Sequence, residues 1–121
     1  MDNLGTRVTT IMVDTLDLDS SVQFWGDFLG LKELHRTPTY VYLDRIVEGG
    51  PHLGFQLVGE PRPEKNRLHL DIRVNDRAAA AEEIVAAGGS VVGEVDEPGF
   101  PVWTVMTDPA GNEFCIYQVE T

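Results

Sequence analysis

The 121-residue chain has a single cysteine, Cys115, so no intrachain disulfide can form and nothing asks for an oxidising compartment. Basic residues are scarce too: 9 Lys and Arg stand against 20 Asp and Glu, a formal net charge of −11. So acidic a surface repels a phosphate backbone and an anionic membrane, which argues against nucleic acid or membrane as partners and favours cationic ligands. Acidic solubility alone would also account for it. No apolar run approaches the length of a membrane span, and Met1 to Arg7 lacks the basic start and apolar stretch of a signal peptide, so the expected location is cytoplasmic. A P-loop, a Rossmann glycine pattern and a Ser-His-Asp constellation are all missing. What is there is an ordinary globular composition, 42% hydrophobic and 24% charged. Its length suits one compact domain, or two small halves sharing one core.

Arg7 to Asp14 is rich in Thr, Val and Ile and reads as a strand. Asp17 and Asp19 offer N-cap oxygens to a helix from Ser20 to Leu29, in which Val22, Trp25, Phe28 and Leu29 recur at helical spacing. Gly30 sits where a helix C-cap belongs. Leu31 to Arg36 and Thr39 to Arg45 are strand candidates split by Pro38, and Leu53 to Val58 alternates as a further strand. The proline-bearing segment 60–65 reads as a linker. Beyond it the pattern restarts. A strand from Arg67 to Val74 leads to Asn75 or Asp76 as N-cap, then to an alanine-rich helix from Arg77 to Ala87 closed by Gly88-Gly89. Ser90 to Val95, Pro101 to Thr107 and Glu113 to Val119 follow as strands.

Both halves thus read strand, helix, strand, strand, strand, which is an internal repeat. Asp17 lies 59 residues before Asp76, and the same offset pairs Thr10 with His69 and Gln56 with Cys115. The expected fold is α+β: one domain over residues 1–121, made of a βαβββ module at 7–59 and another at 66–119. Each module buries one sheet face under its helix, and the opposite faces curl into a shared concave trough. Because side chains alternate along a strand, Leu68, Leu70 and Ile72 are expected in the core. His69 and Asp71 then face the trough, with Gln56, Thr10, Met12, Glu113, Cys115 and Tyr117 beside them.

These residues resemble a known family. The doubled βαβββ pattern, Phe24-Trp25 followed by Leu29-Gly30, and the turn Asp108-Pro109-Ala110-Gly111-Asn112 before the last strand look like the vicinal oxygen chelate superfamily of glyoxalases, bleomycin-resistance proteins and extradiol dioxygenases. Asn66-Arg67-Leu68-His69-Leu70-Asp71 with Gly111-Asn112-Glu113-Phe114-Cys115 resembles its glyoxalase-like subgroup. The resemblance implies a four-point metal site on the first and last strands of each half, carried here onto Thr10, Gln56, His69 and Cys115. Only His69 matches the family's donors outright, and Gln56 is acceptable. His69 and Gln56 are therefore the implied metal ligands, for a divalent Zn, Ni, Mn or Fe ion, in an incomplete ligand set. Thr10 is a poor ligand, and Cys115 puts sulfur where the family has oxygen, which hard ions accept badly.

The implied activity is that of a glyoxalase-like lyase or isomerase acting on an α-oxo aldehyde or related carbonyl compound, working as a homodimer. In that reading Glu113 and Asp71 are the catalytic carboxylates, and His69, Gln56, Arg67, Trp103, Cys115 and Thr10 contact the substrate. Two other readings stand beside it. A metal-free protein could sequester a small cationic compound as bleomycin-resistance proteins do, or an accessory module could bind a ligand without catalysis. Each residue also has a plain structural use: Cys115 as a small buried hydrophobe, Trp25 in the helix–sheet core, Trp103 in burial, and His69 bonded to Asp71.

Overall fold

The structure, a computed structural model, describes residues 5–60 and 67–119; the linker expected at 60–65 falls, beyond Glu60, outside them. The chain divides into a first unit spanning Thr9–Leu68 and a second running from His69 onward, joined by the start of the chain as far as Val8.

The first unit holds β1 (Arg7–Thr15) from Thr9 on, then α1 (Leu18–Leu29), β2 (Glu33–Arg36), β3 (Tyr40–Arg45) and β4 (His52–Leu57). Its strand order is β2-β3-β4-β1. β1 and β4 run parallel, while β3 is antiparallel to both β2 and β4. The second unit repeats the plan with β5 (Leu68–Arg73), α2 (Arg77–Ala86), β6 (Ser90–Val95), β7 (Trp103–Thr107) and β8 (Glu113–Tyr117). There the order is β5-β8-β7-β6, again with first and last strands parallel. Both βαβββ modules read from the sequence are present, and the α+β class stands.

Both helices start the same way. Asp17 and Asp76 keep extended backbone and accept the amide hydrogens of Ser20 and Ala79, so each satisfies one of the donors a helix start leaves open. At the end of α1, Gly30 takes the left-handed conformation at φ 71° and its N–H reaches Gly26 O. In the first unit Leu18, Val41, Leu43, Leu53 and Phe55 form the core, with Val13 and Val22 packed against it. In the second, Val74, Met106 and Ile116 are covered by Ala80, Ala81 and Ile84 of α2 together with Ile72 and Phe114. Completely burying a side chain such as Phe55 contributes about 1.5–3 kcal/mol.

Three expectations need correcting. Leu68 and Leu70 are 51% and 37% exposed, and only Ile72 of that alternating set reaches the core. The packing groups of α2 are two alanines and one isoleucine, too small a surface to cover β5 from end to end. In α1, Phe24, Trp25, Phe28 and Leu29 are exposed, Phe28 by 74%, and the three rings lean on one another instead. A helix buries one stripe, and here Leu18 and Val22 occupy it.

The third correction concerns the repeat. In the second unit Asp71 stands opposite Cys115. One 59-residue offset would set Met12 opposite Gln56, yet Met12 faces Gly54 and Gln56 faces Asp14. β4 has slipped by two residues against β1. A slip of two keeps every side chain on its own face, so the alternation cannot reveal it. Its consequence is concrete: Thr10 and Gln56 share a face but lie four residues apart along the ladder, roughly 13 Å. Measured from the facing pairs, Met12 occupies the place in the first unit that His69 occupies in the second.

Close backbone approach explains Gly89. A Cβ there would lie 2.5 Å from Thr107 O and 2.6 Å from Ile84 Cγ2, whereas one at Gly93 would meet nothing within 4 Å. Gly89→Ala is therefore expected to lower unfolding free energy by about 1–3 kcal/mol in urea titration, with Gly93→Ala within about 0.5 kcal/mol of the parent. Equal effects at the two sites would contradict this packing.

Candidate functional site

In the second unit the face turned away from α2 gathers the chemistry. β5 contributes His69 and Asp71, two residues apart and hence on one side of the strand. β8 contributes Cys115, directly opposite Asp71, and Val105 of β7 completes that row. The parallel closure of β5 on β8 is what brings these sequence-distant residues into contact range. His69, Asp71 and Cys115 each offer a ligand atom, and those atoms lie within 4.8 Å of one another.

His69 Nε2 is 3.3 Å from Asp71 Oδ1, with side-chain exposures of 10% and 20%. An ionised carboxylate only accepts, so Nε2–H is the donor in the neutral ring and Nδ1 holds the basic lone pair. Nδ1 is buried and has no hydrogen-bond partner. Leaving such an atom dry and unpaired costs about 1–3 kcal/mol.

The donor set can be tested against the ion the fold family implies. Imidazole, carboxylate and thiolate together suit zinc and its thiophilic neighbours, while a thiolate is ill matched to Mg²⁺ or Mn²⁺. With all three residues around one ion, His69 Nε2 would be the ligating nitrogen, on the side where Asp71 Oδ1 lies 3.3 Å away, and Nδ1 would carry the ring hydrogen. The three residues fit.

The other expected site residues are distributed as follows. Glu113 opens β8, two residues from Cys115 on the same face and opposite Thr107. Trp103 pairs with Tyr117, one row beyond Cys115, and meets Phe100 edge-on at 6.2 Å, so it is half-buried on the same face. Arg67 is exposed and precedes β5. Thr10 and Gln56 belong to the first unit: Thr10 is buried opposite His52, and Gln56 Nε2 donates to Tyr40 Oη at 3.4 Å. The structure thus joins Asp71 to His69 and Cys115 as a donor, a use the sequence reading did not give it. Strand parity together with parallel pairing of β5 and β8 could have found it.

The turn that delivers β8 is locked by its own side chains. Asp108 accepts from the Ala110 and Asn112 amides at 3.0 and 2.8 Å and from Asn112 Nδ2 at 3.0 Å, with Gly111 at φ 90°. The Asn112 side chain first, and then the backbone donors, hold the Asp108 carboxyl below the ordinary 3.8.

The glyoxalase-like domain family matches residues 10–117, and the chain belongs to that family, within the glyoxalase, bleomycin resistance and dioxygenase superfamily. No curated protein sequence matches. Among solved structures it is similar to a methylmalonyl-CoA epimerase from Mycobacterium tuberculosis, at 13% identity, 95% of this chain, 89% of the other and a TM-score of 0.74. A variant of the Streptomyces coelicolor methylmalonyl-CoA epimerase, in complex with 2-nitronate-propionyl-CoA, is similar at 18% identity, 95% and 98% coverage and a TM-score of 0.71. A glyoxalase/bleomycin resistance protein/dioxygenase superfamily member from Vibrio splendidus 12B01 is similar at 18% identity, with 94% and 99% coverage and a TM-score of 0.68. At these identities the likeness is one of fold.

A depressed carboxyl stabilises the fold above its unfolded value and loses that contribution as pH falls through its folded value. Followed by NMR, Asp108 is accordingly expected to titrate below 3.8, and Asn112→Ala to move it upward. A midpoint at or above 3.8 in the parent would contradict the turn described.

Proposed function

We propose that the chain is a glyoxalase-like lyase or isomerase acting on a small α-oxo aldehyde or related carbonyl compound, with His69, Asp71 and Cys115 as its centre and both modules working as one domain. The observation that carries this reading is the cluster itself: His69, Asp71 and Cys115 offer ligand atoms within 4.8 Å of one another, with His69 Nε2 3.3 Å from Asp71 Oδ1. The three residues would hold a zinc-type divalent ion, which when bound supplies a Lewis acid for the carbonyl oxygen.

The chain's own groups do the remainder. Asp71, 3.3 Å from His69 Nε2, would share the ion with that nitrogen and add a negative charge to its binding. Cys115, as thiolate, sets the preference for a thiophilic ion. Glu113, on the same face as Cys115, moves the proton beside the carbonyl, and the Trp103 ring shields that side from water. The family also implies a homodimer, which sedimentation at micromolar concentration tests.

Protein refolded with Zn²⁺ and desalted is expected to retain one equivalent by elemental analysis, and His69→Ala and Cys115→Ser to retain far less. Methylglyoxal adducts in D₂O should exchange the hydrogen beside the carbonyl, with Asp71→Asn slowing exchange about 10–100-fold. No retained metal together with exchange at the blank rate would sink the proposal.

A further inference from the structure

A second polar face lies in the first unit, on the side of its sheet turned away from α1. Ladder registers set its layout. Asp14, Gln56 and Tyr40 form one row across β1, β4 and β3, and Met12, Gly54 and Tyr42 form the next. Residues of opposite parity, Val13, Phe55, Leu53 and Val41, pack under the helix, so both rows point the other way.

Asp14 is the unexplained member. Its Oδ1 is buried and has no hydrogen-bond partner. A carboxylate oxygen withdrawn from water needs a donor, and a charged one compensates it best. Two arginines of this unit are engaged elsewhere: Arg45 Nη1 bonds Gly50 O, and Arg36 bridges Glu33 and Asp19. Arg67 approaches through its backbone carbonyl, which accepts from Asp14 N at 2.7 Å.

A metal ion is a poor match, because the one group of three or more His, Cys, Asp or Glu ligands found among the described residues does not include Asp14. An N–H-bearing organic cation needs acceptors instead, and the row supplies them. Gln56 donates its Nε2 to Tyr40 Oη, which leaves its amide oxygen as an acceptor beside Asp14. The rest of the face suits a flat or apolar body. The Tyr40 and Tyr42 rings are near-parallel at 24° with centroids 6.4 Å apart, and His35 lies 6.2 Å from Tyr42. Gly54 adds no side chain to the second row, and Met12 lies over it: a Cβ there would be 3.1 Å from Met12 Sδ and Cε.

We propose that this face binds an organic ammonium group: Asp14 and Gln56 Oε1 accept its N–H hydrogens, and the Tyr40–Tyr42 pair receives the aromatic or alkyl body attached to it. Tyrosine faces favour such a body when it carries positive charge, and the net charge of −11 draws it in.

The test is titration with benzylammonium chloride against benzyl alcohol, which has the same shape and no charge, read by calorimetry and by NMR of the intact chain. Benzylammonium should saturate and shift the Gln56 side-chain amide and the Tyr40 and Tyr42 ring resonances. It should bind about tenfold or more tightly than the alcohol, the scale of a charged hydrogen bond. Asp14→Asn should abolish that advantage, and Tyr42→Leu should weaken the amine severalfold while leaving Asp14 in place. Should Asp14→Asn fail to fold, Tyr42→Leu and the alcohol comparison still decide. Equal binding of amine and alcohol would overturn the proposal, as would shifts confined to the second unit. Amine binding that survives Asp14→Asn but vanishes in His69→Ala would do the same, whether or not the second-unit centre holds a metal.

Discussion

Each module depends on one constraint: its last strand returns parallel to its first. Antiparallel neighbours meet through short turns, but a parallel pair needs the whole module as its crossover. That closure sets Asp71 against Cys115 in one unit and Asp14 against Gln56 in the other. Neither pair can arise from local sequence, because each joins the two ends of a βαβββ segment. The helix between them fixes which face is core, and what is left on the opposite face is the chemistry. Asp17 and Asp76 matter here beyond their own hydrogen bonds, since starting the helix at a set point fixes the path by which the chain returns.

How much of this is legible in the sequence follows from period and parity. Strand and helix placement can be read because hydrophobic periodicity and cap residues are local signals; β6 and the Asp17 and Asp76 caps lie where those signals put them. The facing of His69, Asp71 and Cys115 can be read because parity propagates along a strand. Register cannot. Slipping β4 by two residues leaves every face unchanged, so Thr10 and Gln56 keep their expected side while losing their expected proximity. Burial at module edges is equally opaque. Leu68 and Phe28 have the right period for a core, but a period says which side a residue faces and not whether anything lies there. Asp14 reads from the sequence as no more than the end of a strand, although it shares parity with Thr10 and Met12.

The two modules have also diverged in what they carry. The second keeps a mixed donor set with one soft member: a cysteine sulfur, an imidazole and a carboxylate within reach of one another. The first has a methionine where the second has His69, and a carboxylate, an amide and two phenols around it. Methionine is a weak, neutral donor that fills space, so this unit lacks the imidazole and has no other strong ligand in its place. It has acceptors and aromatic surface instead, which suit an organic cation better than an ion needing several donors.

Cys115 separates the chemistry of this chain from a hard-ion version of the same fold. An oxygen donor at that position would leave Mg²⁺, Mn²⁺ and Zn²⁺ in competition on geometry alone; a thiolate breaks the tie toward zinc. It also makes the centre pH-dependent in a definite sense, because both the thiol and the imidazole must lose protons before they ligate. Asp71 adds to the set: its Oδ1 lies 3.3 Å from His69 Nε2, so an ion arriving at that nitrogen would meet a negative charge as well. A carboxylate two residues along the same strand thereby turns an isolated histidine and an isolated cysteine into a usable donor set.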